Sequence, residues 1–116
     1  MTAMTQETDA AAVVRRYFDH MVRRDPGVAE LFHDDASLIG LGGVKSGKAA
    51  IRAFYEESIR NASPTPSLVG ELLVSGTRVA AEIRIALSTG SPMHVVDLFV
   101  VEEGRIRSLT YFVADH

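Results

Sequence analysis

The stretch SLVGELLVSGTRVAAEIRIALSTGSPMHVVDLFVVEEGRIRSLTYFVA, residues 67–114, decides the fold of this chain. It divides into four segments rich in Val, Ile, Leu, Phe or Thr, which predict strands over residues 67–75, 78–88, 93–101 and 105–114. The breaks between these segments are short enough for hairpins and too short for the crossover helices that parallel strands require. The stretch therefore predicts four consecutive antiparallel strands.

Helical patterns precede these strands. Val14, Phe18 and Met21 recur at spacings of four and three, which predicts a helix over residues 9–24 with Thr8 as its N-cap. Asp25 followed by proline is typical of a second N-cap with proline at the first helical position. We therefore expect a second, short helix that ends near residue 33.

The middle of the chain predicts a hairpin and a third helix. Residues 36–41 are short and apolar, and the two glycines after them predict a turn, whereas residues 48–60 return to helical spacing. Helices followed by a meander predict an α+β fold, with three helices packed on one face of a curved, mainly antiparallel sheet. The 116 residues suffice for one hydrophobic core, so we expect one domain over residues 1–116, with residues 1–7 as a flexible leader.

Composition and motifs argue against several classes of function. The 12 basic residues are scattered among 15 acidic ones, so nucleic acid is not an expected partner. No apolar run is long enough for a membrane span and no secretion signal is recognisable, which predicts a cytoplasmic protein without membrane contact. Cysteine is absent from the sequence, and the histidines lack a metal-binding spacing. We expect no metal and no cofactor.

A carboxyl group in the third predicted strand is the first candidate for chemistry. Alternation along residues 94–100 places Val95, Asp97 and Phe99 on one face of the strand. Ionising a carboxyl group among apolar neighbours is costly, and no basic residue in this strand is positioned to neutralise it. Two interpretations stay open: a protonated Asp97 that donates a hydrogen bond, or an ordinary carboxylate at a wet strand edge or helix cap.

Two tyrosines lie on or beside the apolar stripes of predicted helices. Tyr17 belongs to the first helix, and Tyr55 follows Phe54 in the third. An aromatic ring at such a position usually packs in the core while its hydroxyl finds a partner. Two inward phenols and one buried acid would also form a connected hydrogen-bond network. The adjacent Asp34 and Asp35 are more typical of a solvated loop or cap than of an acid-base pair.

Several ordered segments of the chain resemble the ketosteroid isomerase and SnoaL-like branch of the nuclear transport factor 2-like superfamily. They are RYF at 16–18, LFHDDAS at 31–37, SGKAAIRAFY at 46–55, VDLF at 96–99 and GRI at 104–106. The resemblance extends from the first helix to residue 113 and implies a cone-shaped fold. It also implies a pocket for a small apolar ligand, lined by Phe54, Val95 and Phe99, and a homodimer formed through the exposed face of the sheet.

The resemblance assigns roles to individual residues. Tyr17 and Asp97 match the tyrosine and the protonated aspartic acid with which ketosteroid isomerases stabilise a substrate oxyanion. Tyr55 matches a supporting tyrosine, whereas Phe32 stands where some members carry another one, so the hydroxyl network is expected to be shortened. Gly40 stands where those isomerases carry the aspartate that moves the proton, and losing a general base typically costs roughly 10²- to 10⁴-fold in rate.

Three functions therefore remain open at the level of sequence. The first is an isomerase-type enzyme that stabilises the dienolate of a 3-ketosteroid or similar ketone and has acquired a different base. The second is a non-catalytic protein that binds a steroid, phenol or polyketide. The third is a cyclase or epoxide hydrolase, although the Asp-Arg-Asp arrangement of limonene-epoxide-hydrolase relatives is not evident. A titratable side chain that faces the hydrogen-bond donors would favour the first function over the second.

Overall fold

A computed structural model describes residues 3–40 and 42–114 of the chain. The helices are α1 (Ala3–Val22), a short 3-10 helix (Pro26–Leu31) and α2 (Lys48–Ala62). The strands are β1 (Phe32–Ile39), β2 (Val44–Ser46), β3 (Thr65–Leu68), β4 (Leu73–Ser75), β5 (Arg78–Ala86), β6 (Met93–Glu102) and β7 (Arg105–Val113). The fold class is α+β, as the sequence predicted.

Within the described residues, the strands form one 7-stranded sheet in the order β2-β1-β7-β6-β5-β3, with β4 also paired to β5. Neighbouring strands are antiparallel except for β1 and β7, which run parallel. That parallel pair is possible because the long segment between β1 and β7 carries the chain back to the same end of the sheet. The curved sheet covers one side of the helices, as expected for a cone-shaped fold.

The hydrophobic core lies between α1, α2 and the inner face of the sheet. On α1 the buried side chains are Ala10, Val13, Val14, Tyr17 and Met21. Their spacings of three and four place them on one side of the helix. The inner face of the sheet supplies alternate residues of each strand, which leaves the intervening residues on the outer face.

The first two predicted helices differ from the structure at their ends. The helix α1 begins at Ala3, so Thr8 lies inside the helix and is not its N-cap. The expected leader is therefore helical from Ala3 onward, while residues 1 and 2 lie outside the described part of the chain. Asp25 is the predicted cap of the second helix and accepts a hydrogen bond from the backbone N–H of Gly27 at 2.8 Å. That helix ends at Leu31 because residue 32 already pairs with β7.

The predicted strand over residues 67–75 is in fact two strands. The chain bends after β3 at Gly70, whose φ of +79° interrupts the extended conformation before β4 begins. The predicted strands 78–88, 93–101 and 105–114 correspond to β5, β6 and β7 with ends that differ by two residues or fewer. In the described part of the chain, the helices are too short or too polar to cross a bilayer.

Candidate functional site

A cavity lies between the two α-helices and the inner face of the sheet. Its volume is about 80 Å³. Each water molecule needs about 10–15 Å³ of cavity volume measured in this way, so roughly five to eight would fit. Most of its lining is apolar and includes Phe18, Met21, Phe54, Ile83, Ile85 and Met93. The polar side chains that line it are Tyr17, Tyr55, Ser58, Asp97 and Tyr111. The cavity therefore suits a ligand that is largely apolar.

Three tyrosines bring their hydroxyl groups together in the cavity. The hydroxyl oxygen of Tyr17 lies 2.8 Å from that of Tyr55 and 2.8 Å from that of Tyr111. The third side of the triangle, between Tyr55 and Tyr111, measures 2.7 Å. All three distances are normal for hydrogen bonds between hydroxyl groups. The three residues come from α1, α2 and β7, so the cluster ties both helices to the sheet.

Asp97 adds a carboxyl group to the same cavity. It lies on β6 directly opposite Tyr111 on β7, and its side chain is completely buried. Neither carboxyl oxygen has a hydrogen-bond partner among the described residues. A buried carboxylate without a cation or a donor is costly, so the neutral form is favoured.

Burial sets the protonation state of the whole cluster. Loss of hydration raises the pKa of Asp97 well above its ordinary value. Burial likewise raises the pKa values of Tyr17, Tyr55 and Tyr111. A negative charge on Asp97 would raise the pKa values of all three tyrosines further. Burial therefore favours the protonated, uncharged form of all four groups, and in that form each carries a proton that it can donate.

The structure brings together the polar residues that the sequence singled out, but not all of the expected lining residues. Tyr17, Tyr55 and Asp97 share the cavity, and Phe54 lines it. Val95 and Phe99 were expected to line the pocket, but both are completely buried and lie outside the lining. They flank Asp97 on the inner face of β6 and support the site from behind. The ring of Phe99 packs edge-to-face against Tyr17, with 5.0 Å between ring centroids.

Tyr111 is the site residue that sequence reasoning missed. The expectation of a shortened hydroxyl network, based on Phe32, was wrong because Tyr111 supplies a third hydroxyl from a different strand. Counting back from the β6–β7 hairpin, where Glu102 pairs with Arg105, would place Thr110 opposite Asp97. An irregularity between Val100 and Val101 shifts the register by one residue, so that Tyr111 faces Asp97 instead.

Gly40 lies at the end of β1 and is not part of the cavity lining. Its φ is +106°, a conformation that residues with a side chain rarely adopt. A Cβ atom at this position would lie 2.7 Å from the carbonyl oxygen of Tyr111 and 3.3 Å from its Cβ. The backbone of β7 therefore occupies the space into which an aspartate at position 40 would extend.

A substitute for the missing base could come from an acidic residue or a histidine elsewhere in the fold. The candidates Asp34, Asp35, Glu71, Glu82 and His94 all lie outside the cavity lining. Asp34 forms an ion pair with Lys48 at 3.2 Å, and Glu82 pairs with His94 at 2.6 Å. Arg107 donates a hydrogen bond to Asp35 and lowers the pKa of that exposed carboxyl group. Among the described lining residues, the titratable groups are the three tyrosines and Asp97. Within residues 3–40 and 42–114, no His, Asp and Glu side chains cluster so as to hold a metal ion.

Comparison with known proteins identifies the family of the chain. The sequence profile of the SnoaL-like domain matches residues 14–109. The chain belongs to the SnoaL-like domain family. No curated protein matches its sequence. The fold is nuclear transport factor 2-like, as the sequence resemblance predicted.

Solved structures with very different assigned chemistries share the fold. A proposed ketosteroid isomerase from Kribbella flavida superimposes with a TM-score of 0.84 at 22% identity, over 97% of this chain and 83% of that one. A proposed polyketide cyclase from Sinorhizobium meliloti gives 0.80 at 24% identity, over 97% and 100%. An LEH-like epoxide hydrolase from M. tuberculosis gives 0.82 at 18% identity, over 93% and 84%. At these identities the similarity shows the fold, and the chemistry must be argued from the cavity itself.

Proposed function

We propose that this protein binds a compact, mainly apolar molecule through one polar oxygen, such as that of a ketone, an enol or a phenol. The observation that carries the proposal is the buried carboxyl group of Asp97, which has no partner among the described residues and lies with three tyrosine hydroxyls in an otherwise largely apolar cavity. A ligand oxygen that accepts a hydrogen bond from Asp97 would offset the free-energy cost of leaving that buried group unpaired. The remaining cavity surface would bury the ligand's hydrocarbon part.

The size of the cavity favours small ligands. The five to eight water molecules that the cavity would hold take up roughly 150–240 Å³ as a liquid, at about 30 Å³ each. That is the volume of a molecule with one or two rings. A four-ring steroid would require the apolar walls to move apart. The ligand class is therefore a phenol or cyclic ketone of one or two rings, rather than a complete 3-ketosteroid.

An enzyme that stabilises an enolate is the second candidate, because protonated Asp97 and the tyrosines are suitable donors to an oxyanion. Among the described lining residues, however, no other titratable group is present that could serve as its separate base. Binding without isomerisation is therefore the preferred function. The epoxide-hydrolase alternative lacks support, because the described lining contains one carboxyl group and no arginine.

The test measures binding and turnover on the same samples. Purified protein is titrated with 2-naphthol and, separately, with a Δ5-3-ketosteroid, while naphthol fluorescence and conjugated-enone absorbance are followed. We expect saturable naphthol binding that weakens at least several-fold in Asp97→Ala, and no enone formation. Enone formation that is lost in Tyr17→Phe would establish the isomerase instead. Absence of naphthol binding together with absence of turnover would refute both functions.

We also propose that the protein is a homodimer formed through the outer face of the sheet. The face carries apolar side chains on adjacent strands, including Leu98 on β6, Leu73 on β4 and Phe112 on β7. Leu73 is 71% exposed and Phe112 is 53% exposed. Such side chains are contiguous because Leu98 is paired with Ala80, and Ala80 with Leu73. Contiguous exposed apolar surface on a soluble domain is typical of a protein interface.

A further inference from the structure

The tyrosine cluster can satisfy its own hydrogen bonds. Each hydroxyl group has one proton to donate, and the triangle of Tyr17, Tyr55 and Tyr111 has three short contacts. A closed ring, in which each hydroxyl donates to the next, uses all three protons. Of the four groups in the cluster, Asp97 in its protonated form is then the one whose proton is not shared with another member.

A hydrogen bond from a tyrosine to the ligand requires the ring to open. A neutral ketone oxygen would gain one ordinary hydrogen bond at the expense of another, so the exchange contributes little to affinity. A phenolate or enolate oxygen gains more, because hydrogen bonds to an anion are roughly twice as strong as those between neutral groups. The opened ring also leaves a chain of three hydroxyls in which each bond polarises the next one.

We propose that Tyr111, by closing the ring, makes the cavity selective for an anionic oxygen over a neutral carbonyl oxygen. Tyr111 is thus a specificity-determining residue, and the inference rests on the proposed binding function. The close approach of β7 to Gly40 belongs to the same arrangement, since a side chain at position 40 would displace the backbone that carries Tyr111. The same backbone segment of β7 thus leaves no space for a carboxylate at position 40 and carries the third hydroxyl of the cluster.

The test compares two ligands of similar size, 4-nitrophenolate and cyclohexenone, in the protein and in Tyr111→Phe. Removing the Tyr111 hydroxyl leaves the pair Tyr17–Tyr55, in which one proton is free for a ligand. We expect the affinity for cyclohexenone to rise several-fold, while the affinity for the phenolate stays constant or falls. The ratio of the two affinities should therefore decrease by about tenfold, the scale of one neutral hydrogen bond. Binding of the phenolate is followed by its absorbance, and that of the ketone by competition.

Two further variants separate specificity from structural damage. Tyr55→Phe removes the hydroxyl that α2 contributes to the hydrogen-bonded ring. It should also lower the ratio of phenolate affinity to ketone affinity. Thr110→Val changes the neighbouring residue of β7, whose side chain points to the opposite face of the sheet, and should leave the ratio unchanged. Equal loss of affinity for both ligands in Tyr111→Phe would assign that residue a purely structural role, and an unchanged ratio would overturn the inference. If the unmodified protein binds neither ligand, the proposed function fails and the inference fails with it.

Discussion

The backbone of Gly40 has a φ of +106°, a conformation that residues with a side chain rarely adopt. A Cβ at this position meets the Tyr111 carbonyl oxygen at 2.7 Å, a distance that real Cβ atoms essentially never show. The neighbouring Gly42 has almost the same φ, +104°, but a Cβ there would meet nothing within 4 Å. A substitution at Gly42 would therefore cause backbone strain alone, whereas a substitution at Gly40 would cause backbone strain and a steric clash.

For this reason, Gly40→Asp should not convert the protein into an isomerase. We expect it to lower the free energy of unfolding by about 1–3 kcal/mol through strain, and by more where β7 must move. Gly42→Asp should show the strain alone and be less destabilising. Urea unfolding measures both variants, and enone absorbance with a Δ5-3-ketosteroid measures activity. A stable Gly40→Asp protein that forms enone would show instead that position 40 can accommodate a catalytic carboxylate.

The protonation of Asp97 should make stability depend on pH. Because burial raises its pKa in the folded state, the folded protein retains this proton at pH values where the unfolded chain has released it. The contribution of Asp97 to stability therefore falls as pH rises from about 4 towards the folded-state pKa, by up to about 1.4 kcal/mol per pH unit. In Asp97→Asn this loss is absent, so the variant should gain stability relative to the parent protein over that window. Urea unfolding at a series of pH values measures the difference.

Asp25 provides a control, because its pKa is shifted in the opposite direction from that of Asp97. The backbone N–H of Gly27 and the ring of His20 donate hydrogen bonds to its carboxylate and lower its pKa. Its favourable contribution is present above the unfolded-state pKa and is lost as pH falls. Asp25→Asn should therefore lose stability relative to the parent protein as pH rises through the acidic range. The same direction of change in both variants would contradict the assignment of Asp97 as a protonated group.

At the scale of elements, sequence patterns predicted what depends on neighbours along the chain. Segments rich in β-branched and apolar residues, separated by short breaks, identified β5, β6 and β7, and helical spacing identified α1 and α2. Alternation along β6 placed Asp97 on the same face as Val95 and Phe99, and the family resemblance paired it with Tyr17. Tyr111 could not be predicted by counting, because one irregularity in the β6–β7 ladder changes which residue faces Asp97. The split between β3 and β4 was missed because a single glycine within an apolar segment is compatible with a continuous strand.

The packing of α1 on β6 predicts how the site is supported. Phe99 is completely buried and contacts the rings of both Tyr17 and Phe18, with centroid distances of 5.0 and 5.9 Å. Phe99→Ala should lower the free energy of unfolding by about 3–5 kcal/mol. Phe112→Ala, on the exposed face of β7, should change it by about 0.5 kcal/mol or less in dilute, monomeric protein. Similar losses in the two variants, measured by urea unfolding, would contradict the assignment of Phe99 to the supporting core.

At the scale of the whole molecule, the sheet has two apolar faces, and the outer one is left uncovered by the described residues. The inner face covers the core and the cavity, whereas the outer face leaves Leu73 and Phe112 more than half exposed. A stable homodimer would bury about 800 Å² per subunit, which a sheet face of several strands can supply. A two-fold axis on this face would place the same apolar residues of both copies against each other. The cavity lies on the other side of the sheet, so dimer formation and ligand binding should be separable.

Replacing Leu98 at the centre of the outer face should therefore produce a monomer that still binds ligand. In Leu98→Glu, the interface would bury two unpaired carboxylates, one from each copy, at a cost that a dimer of this size does not offset. Sedimentation equilibrium should show a dimer for the parent protein and a monomer for the variant. Glu57→Lys, which changes an exposed charge on α2, should leave the dimer intact. Naphthol affinity should be the same in all three proteins, since Asp97 and the tyrosines face the opposite side of the sheet. A monomeric parent protein would refute the dimer, and loss of naphthol binding in the monomeric variant would show instead that the cavity depends on the second copy.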